Sequence, residues 1–324
     1  NVLEFYKTNE NGATLKIEYP EPGCWINAVA PTHEERDFLI EKIGILPEFI
    51  KSSLDEEESS HIDYDDDVDQ TLVIFDYPNV NDADDPIRKH SGKEKELTLQ
   101  YMTLPLGVVI LKGYIVTICL YENSNVDDLT SGRVKGMDTR LKTRFLLLLL
   151  LRISQRYLIY LRQIDRLSSR TEKKLYQTPD NKELIDMLGL EKSLVYFSTS
   201  LKSDELTLSK IMRGRQIKLY EDDEDLLEDV MIEIKQAIEM CSIYSGILSS
   251  TMDTFANVIS NNLNFIMQIL TVITIVMAIP DLIFGFYGMN VDGLLLPHAW
   301  FPIVLAVVLC LFAVMIFKKK DMFR

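Results

Sequence analysis

Residues 265–286, "FIMQILTVITIVMAIPDLIFGF", carry one charged side chain in 22 positions. Wound as a helix at 1.5 Å per residue they reach about 33 Å, enough to cross a hydrocarbon core of roughly 30 Å. Residues 300–317, "WFPIVLAVVLCLFAVMIF", form a second and slightly shorter run, opened by Trp300, a residue type favoured where a helix meets the bilayer interface. No other feature restricts the fold as much, because in lipid every backbone N–H and C=O must be satisfied internally, which leaves helices as the spanning element. The loop between the runs, "YGMNVDGLLLPHA", holds no Lys or Arg, whereas "KKKDMFR" follows the second. By the positive-inside rule the tail is cytoplasmic, the loop external and the large N-terminal part cytoplasmic. A third run, "RFLLLLLLR" at 144–152, has only seven apolar residues between arginines. About 10 Å of helix cannot cross a bilayer, so this segment reads as a buried helix.

A formal net charge of −15 over 324 residues argues against nucleic acid as a partner, since displacing counterions from phosphates needs a basic face. The acidity suits metal cations, or plain solubility. Cys24, Cys119, Cys241 and Cys310 show neither CxxC pairing nor a nearby histidine pattern, so they read as scattered reduced thiols. His33, His61, His90 and His298 form no ligand or catalytic grouping. With no glycine-rich phosphate loop and no nucleophile motif, the chain does not read as an enzyme, and any transport it performs runs downhill. The opening "NVLEFYKTNENG" lacks the basic-then-apolar pattern of a secretory leader, and a start at Asn1 reads as a trimmed end.

Residues 1–137 read as a cytoplasmic α/β domain. Strand patterns lie at 14–19, 24–29, 71–77, 97–104, 106–112 and 114–121. "PTHEERDFLIEKIG" opens with Thr32 and Glu35 at capping-box spacing and stops at Gly44, and "PEFIKSSLDEEESS" continues as a second helical stretch. Acidic turns such as "DYDDDVD" and "NDADDP" separate the elements. Residues 138–220 read as an antiparallel pair of long helices, broken at Thr178-Pro179. "EDDEDLLEDVMIEIK" opens a third, its acids placed at the positive end of the helix dipole. No strong breaker follows before Pro280. That predicts one helix from about 222 to 286, roughly 97 Å long, with residues 221–264 as a cytoplasmic stalk and 265–287 as the first span. A helix so long is rarely stable alone and should bundle around copies of itself. Residues 288–299 form the external loop, 300–317 the second span and 318–324 the basic tail.

One face of this helix, stepped by three and four, reads Asp253, Asn257, Ser260, Asn264, Met267, Thr271, Thr274, Ala278, Asp281, Gly285. Most are small or polar, among neighbours that are Ile, Leu, Val and Phe. Such a stripe packs helices together in many membrane proteins; it also lines water-filled pores. Asp281 favours the pore, because packing needs no acid and an ionised Asp at mid-span costs roughly 2.5–3.5 kcal/mol on insertion scales.

The tripeptide Gly288-Met289-Asn290 directly after the first of two C-terminal spans, with a Lys-rich tail after the second, resembles the CorA family of divalent-cation transporters. The acidic segment "SLDEEESSHIDYDDD" at 53–67 is similar to the family's N-domain, and the long helix to its stalk. The resemblance implies a homopentameric funnel in a bacterial cell membrane, with both termini cytoplasmic and five stalk helices around one pore. It implies Mg²⁺, with Co²⁺ or Ni²⁺ also possible, as both substrate and regulator, and no organic cofactor. Gly288, Met289 and Asn290 would form the mouth, where Asn290 amide oxygens hold an ion by its water shell, since Mg²⁺ sheds water reluctantly. Asn264 would be an inner polar ring, Met267 and Leu270 a hydrophobic constriction, and Thr271, Thr274, Ala278 and Asp281 further pore-lining positions. Asp253 would hold a regulatory Mg²⁺ between subunits, and Lys318, Lys319 and Lys320 a basic collar or a topology anchor.

Three departures stand out. The family commonly has a small polar residue, often Thr, where this chain has Asp281. Its external loop often carries glutamates, where this chain has Asp292 alone. The N-domain partner of the stalk site falls near Ser52, which leaves Asp55, Glu56 or Glu57 as substitutes. Zinc transport within the same superfamily, and a membrane-anchored scaffold without transport, are the competing readings.

Overall fold

The structure, a computed structural model, describes residues 3–80, 101–131, 134–177, 181–214, 216–289, 298 and 300–319. The Thr178-Pro179 break, His90, Asn290, Asp292 and Lys320 lie outside the described residues. Two compact units emerge, Asn1–Thr251 and Met252–Arg324.

The first unit is built on a seven-stranded sheet in the order β2-β1-β3-β7-β6-β5-β4. Its strands are β1 (Leu3–Thr8), β2 (Thr14–Ile17), β3 (Cys24–Val29), β4 (His61–Asp65), β5 (Gln70–Val80), β6 (Tyr101–Leu111) and β7 (Tyr114–Cys119). Neighbours are antiparallel except β3 and β7, which run parallel at the centre. A parallel pair needs a crossover, and central strands covered on both sides read as near-continuous apolar runs. "CWINAV" and "YIVTIC" are buried almost throughout. The expected strands at 97–104 and 106–112 are one strand: from Tyr101 the backbone continues through Pro105, which faces Asp76 of β5. Proline has no N–H, so the ladder is interrupted there without the strand ending.

On one face, α1 (His33–Phe38), a single π-helical turn (Leu39–Ile43) and α2 (Pro47–Ser53) cover Cys24, Ile26, Ile74, Val109 and Val116. Thr32 and Glu35 close the capping box in both directions, and Gly44, at φ 86°, ends the turn. The second helical stretch is shorter than the sequence pattern predicts. It stops at Ser53 because Asp55 turns the chain, accepting from the Glu57 amide at 3.1 Å, an Asx-type contact that competes with helix. The residues beyond it supply β4 instead. α2 also packs closely on β6 at Gly107. A Cβ built on Gly107 would lie 1.9 Å from Ser53 Oγ and 3.3 Å from Ser53 Cα. Gly107→Ala is therefore expected to lower stability by about 1–3 kcal/mol, the usual cost of overpacking. Thermal unfolding of Gly107→Ala with and without Ser53→Gly checks this: recovery in the double variant locates the clash, and an unchanged midpoint in the single variant removes it.

The remaining helices of this unit are α3 (Ser124–Thr130), α4 (Lys142–Gln177) and α5 (Asn181–Met212), together with the first part of α6 (Glu221–Tyr287). The short leucine run belongs to α4 and is buried from Phe145 to Leu150, as its length predicts. Phe145 packs on Trp25, whose indole N–H donates to Thr117 Oγ1 at 2.9 Å. In the second unit α6 continues unbroken to Tyr287, with Pro280 inside it, and is followed by α7 (Trp300–Lys319).

Candidate functional site

The second unit determines which face of α6 is covered. Its buried or half-buried positions beyond Phe255 include Ile269, Val272, Val276, Ile279, Pro280, Ile283 and Tyr287, with Val272 only 2% exposed. These repeat at three and four residues, and α7 is met at two of them: the Tyr287 ring lies tilted against Phe301 with centroids 6.1 Å apart, and Cys310 Sγ approaches the Val276 carbonyl at 3.5 Å. Pro280 lacks the N–H that would bond the carbonyl four residues back, and that carbonyl is Val276. The Cys310 thiol thus supplies a donor where the helix cannot. A proline in the sequence signals the orphaned carbonyl, but not which side chain of another helix answers it, so Cys310 is a residue the sequence alone did not single out. Beside this contact Pro280, Phe284, Ile303, Ala306, Val307 and Cys310 line a shallow apolar cavity of about 300 Å³.

The small and polar stripe lies elsewhere. At 100° per residue, Asn264, Met267, Thr271, Thr274, Ala278 and Asp281 cluster roughly opposite the covered face. All six are exposed in the single chain, as are Leu270 beside them and Asp253 further back on the same line. Thr271 Oγ1 donates to the Met267 carbonyl at 2.7 Å and Thr274 Oγ1 to the Leu270 carbonyl at 2.8 Å. These hydroxyls spend their protons on the helix itself, leaving lone pairs outward. Asp281 makes no hydrogen bond or ion pair among the described residues. The face therefore presents weakly polar oxygens and one carboxylate to whatever lies beyond it.

At the end of α6 the Gly288 N–H donates to the Phe284 carbonyl at 2.8 Å, and Met289 N–H to Phe286 at 3.4 Å. A Cβ on Gly288 would sit 3.1 Å from the Phe284 oxygen, tighter than backbone readily accepts, so this turn favours glycine. Lys318 and Lys319 form the exposed last turn of α7, where cations suit the helix dipole. Asp55, Glu56 and Glu57 are exposed in the turn after α2, with Glu56 accepting from the Tyr121 hydroxyl. They belong to the first unit and Asp253 to the second. Among the described residues no three His, Cys, Asp or Glu side chains gather into a metal-binding group within the chain.

Two helices that follow a large α/β unit are long and apolar enough to cross a membrane, each with an 18-residue stretch at a mean hydropathy of 2.3 and 2.8 respectively, as in a membrane transporter with two spans. The profile of the CorA-like Mg2+ transporter protein family matches residues 21–319, and the chain belongs to that family. The cobalt/magnesium transport protein CorA of Methanocaldococcus jannaschii is 29% identical over 310 residues, covering 91% of this chain and 90% of that one. The complete structure of the CorA magnesium transporter from the same organism superposes with a TM-score of 0.80 over 99% of both chains, at 25% identity. The ZntB cytoplasmic domain from Vibrio parahaemolyticus shares the fold, with a TM-score of 0.61 over 80% of this chain and 98% of that one, at 11% identity.

Proposed function

We propose that the chain conducts Mg²⁺ passively through a pore that five copies of α6 surround, with Co²⁺ or Ni²⁺ as further cargo. The observation that carries this reading is the opposition of the two faces of α6. One face is apolar and packs on α7, while the other is small, polar and acidic and has no partner among the described residues. A pore wall needs that second face, and a lipid-facing helix does not. Membership of a family of Mg²⁺ transporters, and a relative named for cobalt and magnesium transport, support the choice of cargo.

In this reading Gly288, Met289 and Asn290 form an external mouth that holds the ion through its water shell. Met267 and Leu270 form a constriction that closes by dewetting, with Asn264 just inside it. Asp253, on the same line of the stalk, binds regulatory Mg²⁺ between subunits, with Asp55, Glu56 or Glu57 as partners from the first unit. A bound cation there stabilises the closed pentamer when cytosolic Mg²⁺ is plentiful. Lys318, Lys319 and Lys320 mark the cytoplasmic end of α7, and both termini are cytoplasmic.

The test is Mg²⁺ uptake into proteoliposomes at low internal Mg²⁺, alongside the mass of the detergent-solubilised assembly. Uptake down the gradient by a particle of five chains is expected, with Co²⁺ and Zn²⁺ run as competitors. Uptake no faster than in empty liposomes turns the reading toward a scaffold, and preferential uptake of Zn²⁺ turns it toward a zinc transporter.

A further inference from the structure

The interior of the first unit holds two acids that the proposed transport does not use. Asp204 of α5 is 0% exposed and Asp76 of β5 is 8% exposed. They meet where Pro105 interrupts the ladder opposite Asp76. There the Asp76 backbone N–H donates to Asp204 Oδ1 at 2.9 Å, and the Asp76 carbonyl accepts from the Tyr157 hydroxyl at 3.2 Å. Helices α5 and α4 thus each supply a partner to one backbone group of Asp76. Around them Ser60 Oγ bonds Thr207 Oγ1 at 2.9 Å and Ser200 Oγ bonds Thr103 Oγ1 at 2.8 Å, extending a polar seam between the sheet and α5. The second oxygen of Asp204, Oδ2, is buried with no hydrogen-bond partner among the described residues.

Accepting one backbone N–H requires only a neutral oxygen, which Asn would provide. A carboxyl at this position adds a group that can be neutral only by carrying a proton, because no counter-charge is at hand. The groups facing the pair are each other, Ser60 and Ser200, the Tyr157 hydroxyl from α4 and, behind it, the Cys241 thiol from α6. No lysine, arginine or histidine acts on either carboxyl among the described residues. An ionised carboxylate in such surroundings is far costlier than a protonated one.

We infer that Asp204, with Asp76 beside it, is a resident proton-binding site that fastens the sheet to α5 and makes that junction tighten as pH falls and loosen as it rises. The electrostatics agree. Burial and the neighbouring Asp76 push the Asp204 carboxyl well above the usual carboxylate range. Burial likewise pushes Asp76 up to about 6, against an opposing hydrogen bond from Ser200. Both folded-state values lie above the ordinary value of 3.8, so the folded chain holds protons that the unfolded chain releases. The stabilisation is complete below pH of about 4 and is lost as pH rises through the raised folded-state values, about 6 in the case of Asp76.

The experiment uses the full chain in detergent micelles and compares it with Asp204→Asn, which keeps the acceptor and removes the proton site. Thermal midpoints are measured from pH 4 to 8.5, and the infrared band of protonated carboxyl groups is recorded at pH 7.5. Expected are a midpoint in the native chain that falls with rising pH, a flatter profile and a higher midpoint at pH 7.5 in Asp204→Asn, and loss of the carboxyl band in that variant. An equal drop at every pH, or a native chain with no protonated carboxyl at pH 7.5, overturns the inference. Should Asp204→Asn fail to fold, Asp76→Asn decides. Removing the neighbouring charge must move the titration of the remaining band to lower pH, and an unmoved band overturns the inference.

Discussion

Asn290→Ala is expected to abolish saturable Mg²⁺ uptake in proteoliposomes while leaving assembly and thermal stability unchanged. The residue directly follows Gly288 and Met289, where α6 ends and the Gly288 N–H donates to the Phe284 carbonyl at 2.8 Å. In the proposed pentamer five amide side chains converge there. Mg²⁺ keeps its first hydration shell tightly, so selection at the entrance works on the hydrated ion, and amide oxygens accept hydrogen bonds from its bound water. Alanine offers no acceptor. Neutral amides matter as much as the oxygens do: Asn290→Asp should hold the ion more strongly and release it more slowly, because conduction needs departure as well as arrival. The check is initial uptake against external Mg²⁺. Native-like uptake by Asn290→Ala would falsify the mouth assignment outright.

Asp281→Lys should be as severe for a different reason. Asp281 lies on the exposed face, opposite the one packed on α7, and in the proposed pentamer its side chain would border the ion path. A divalent ion passing about 8 Å from one ammonium meets roughly 1 kcal/mol of repulsion even at the dielectric of bulk water. Five such groups sum to about 5 kcal/mol, and after counterion screening a loss of at least tenfold in flux remains. Asp281→Thr removes charge without reversing it. It should leave conduction intact and weaken the discrimination of divalent over monovalent cations. Uptake by both variants equal to the native chain would move Asp281 off the path and return the stripe to a packing role.

The long-range organisation was legible because it rests on period and length. Twenty-two nearly uncharged positions signal a span, seven do not, and an unbroken 3.6-residue pattern from the acidic start near Asp222 signals one helix. The capping box at Thr32 was equally visible, because it is local chemistry at fixed spacing. What escaped is decided by partners distant in the chain. β1 and β4 are strands because β3 and β5 offer them an edge, while "DYDDDVD", whose first three residues belong to β4, reads alone as an acidic turn. The helix after Pro47 ends at Ser53 because Asp55 captures a backbone N–H, a competition that composition does not settle. At the candidate site the stripe was readable from spacing. That it faces away from α7, and that Cys310 meets the carbonyl freed by Pro280, depends on how two helices pack. Asp204 gave no signal in the sequence at all, since an acid in an amphipathic helix ordinarily faces water.

The proline within α6 has a mechanical consequence. Everywhere else along the span, bending the helix means stretching a full ladder of backbone hydrogen bonds. At Val276 one rung is missing, and its replacement is a thiol at 3.5 Å, among the weakest donors a protein offers. The helix is therefore expected to resist bending less at Val276 than along the stretch that carries Met267 and Leu270, with the Cys310 contact to α7 as the local restraint.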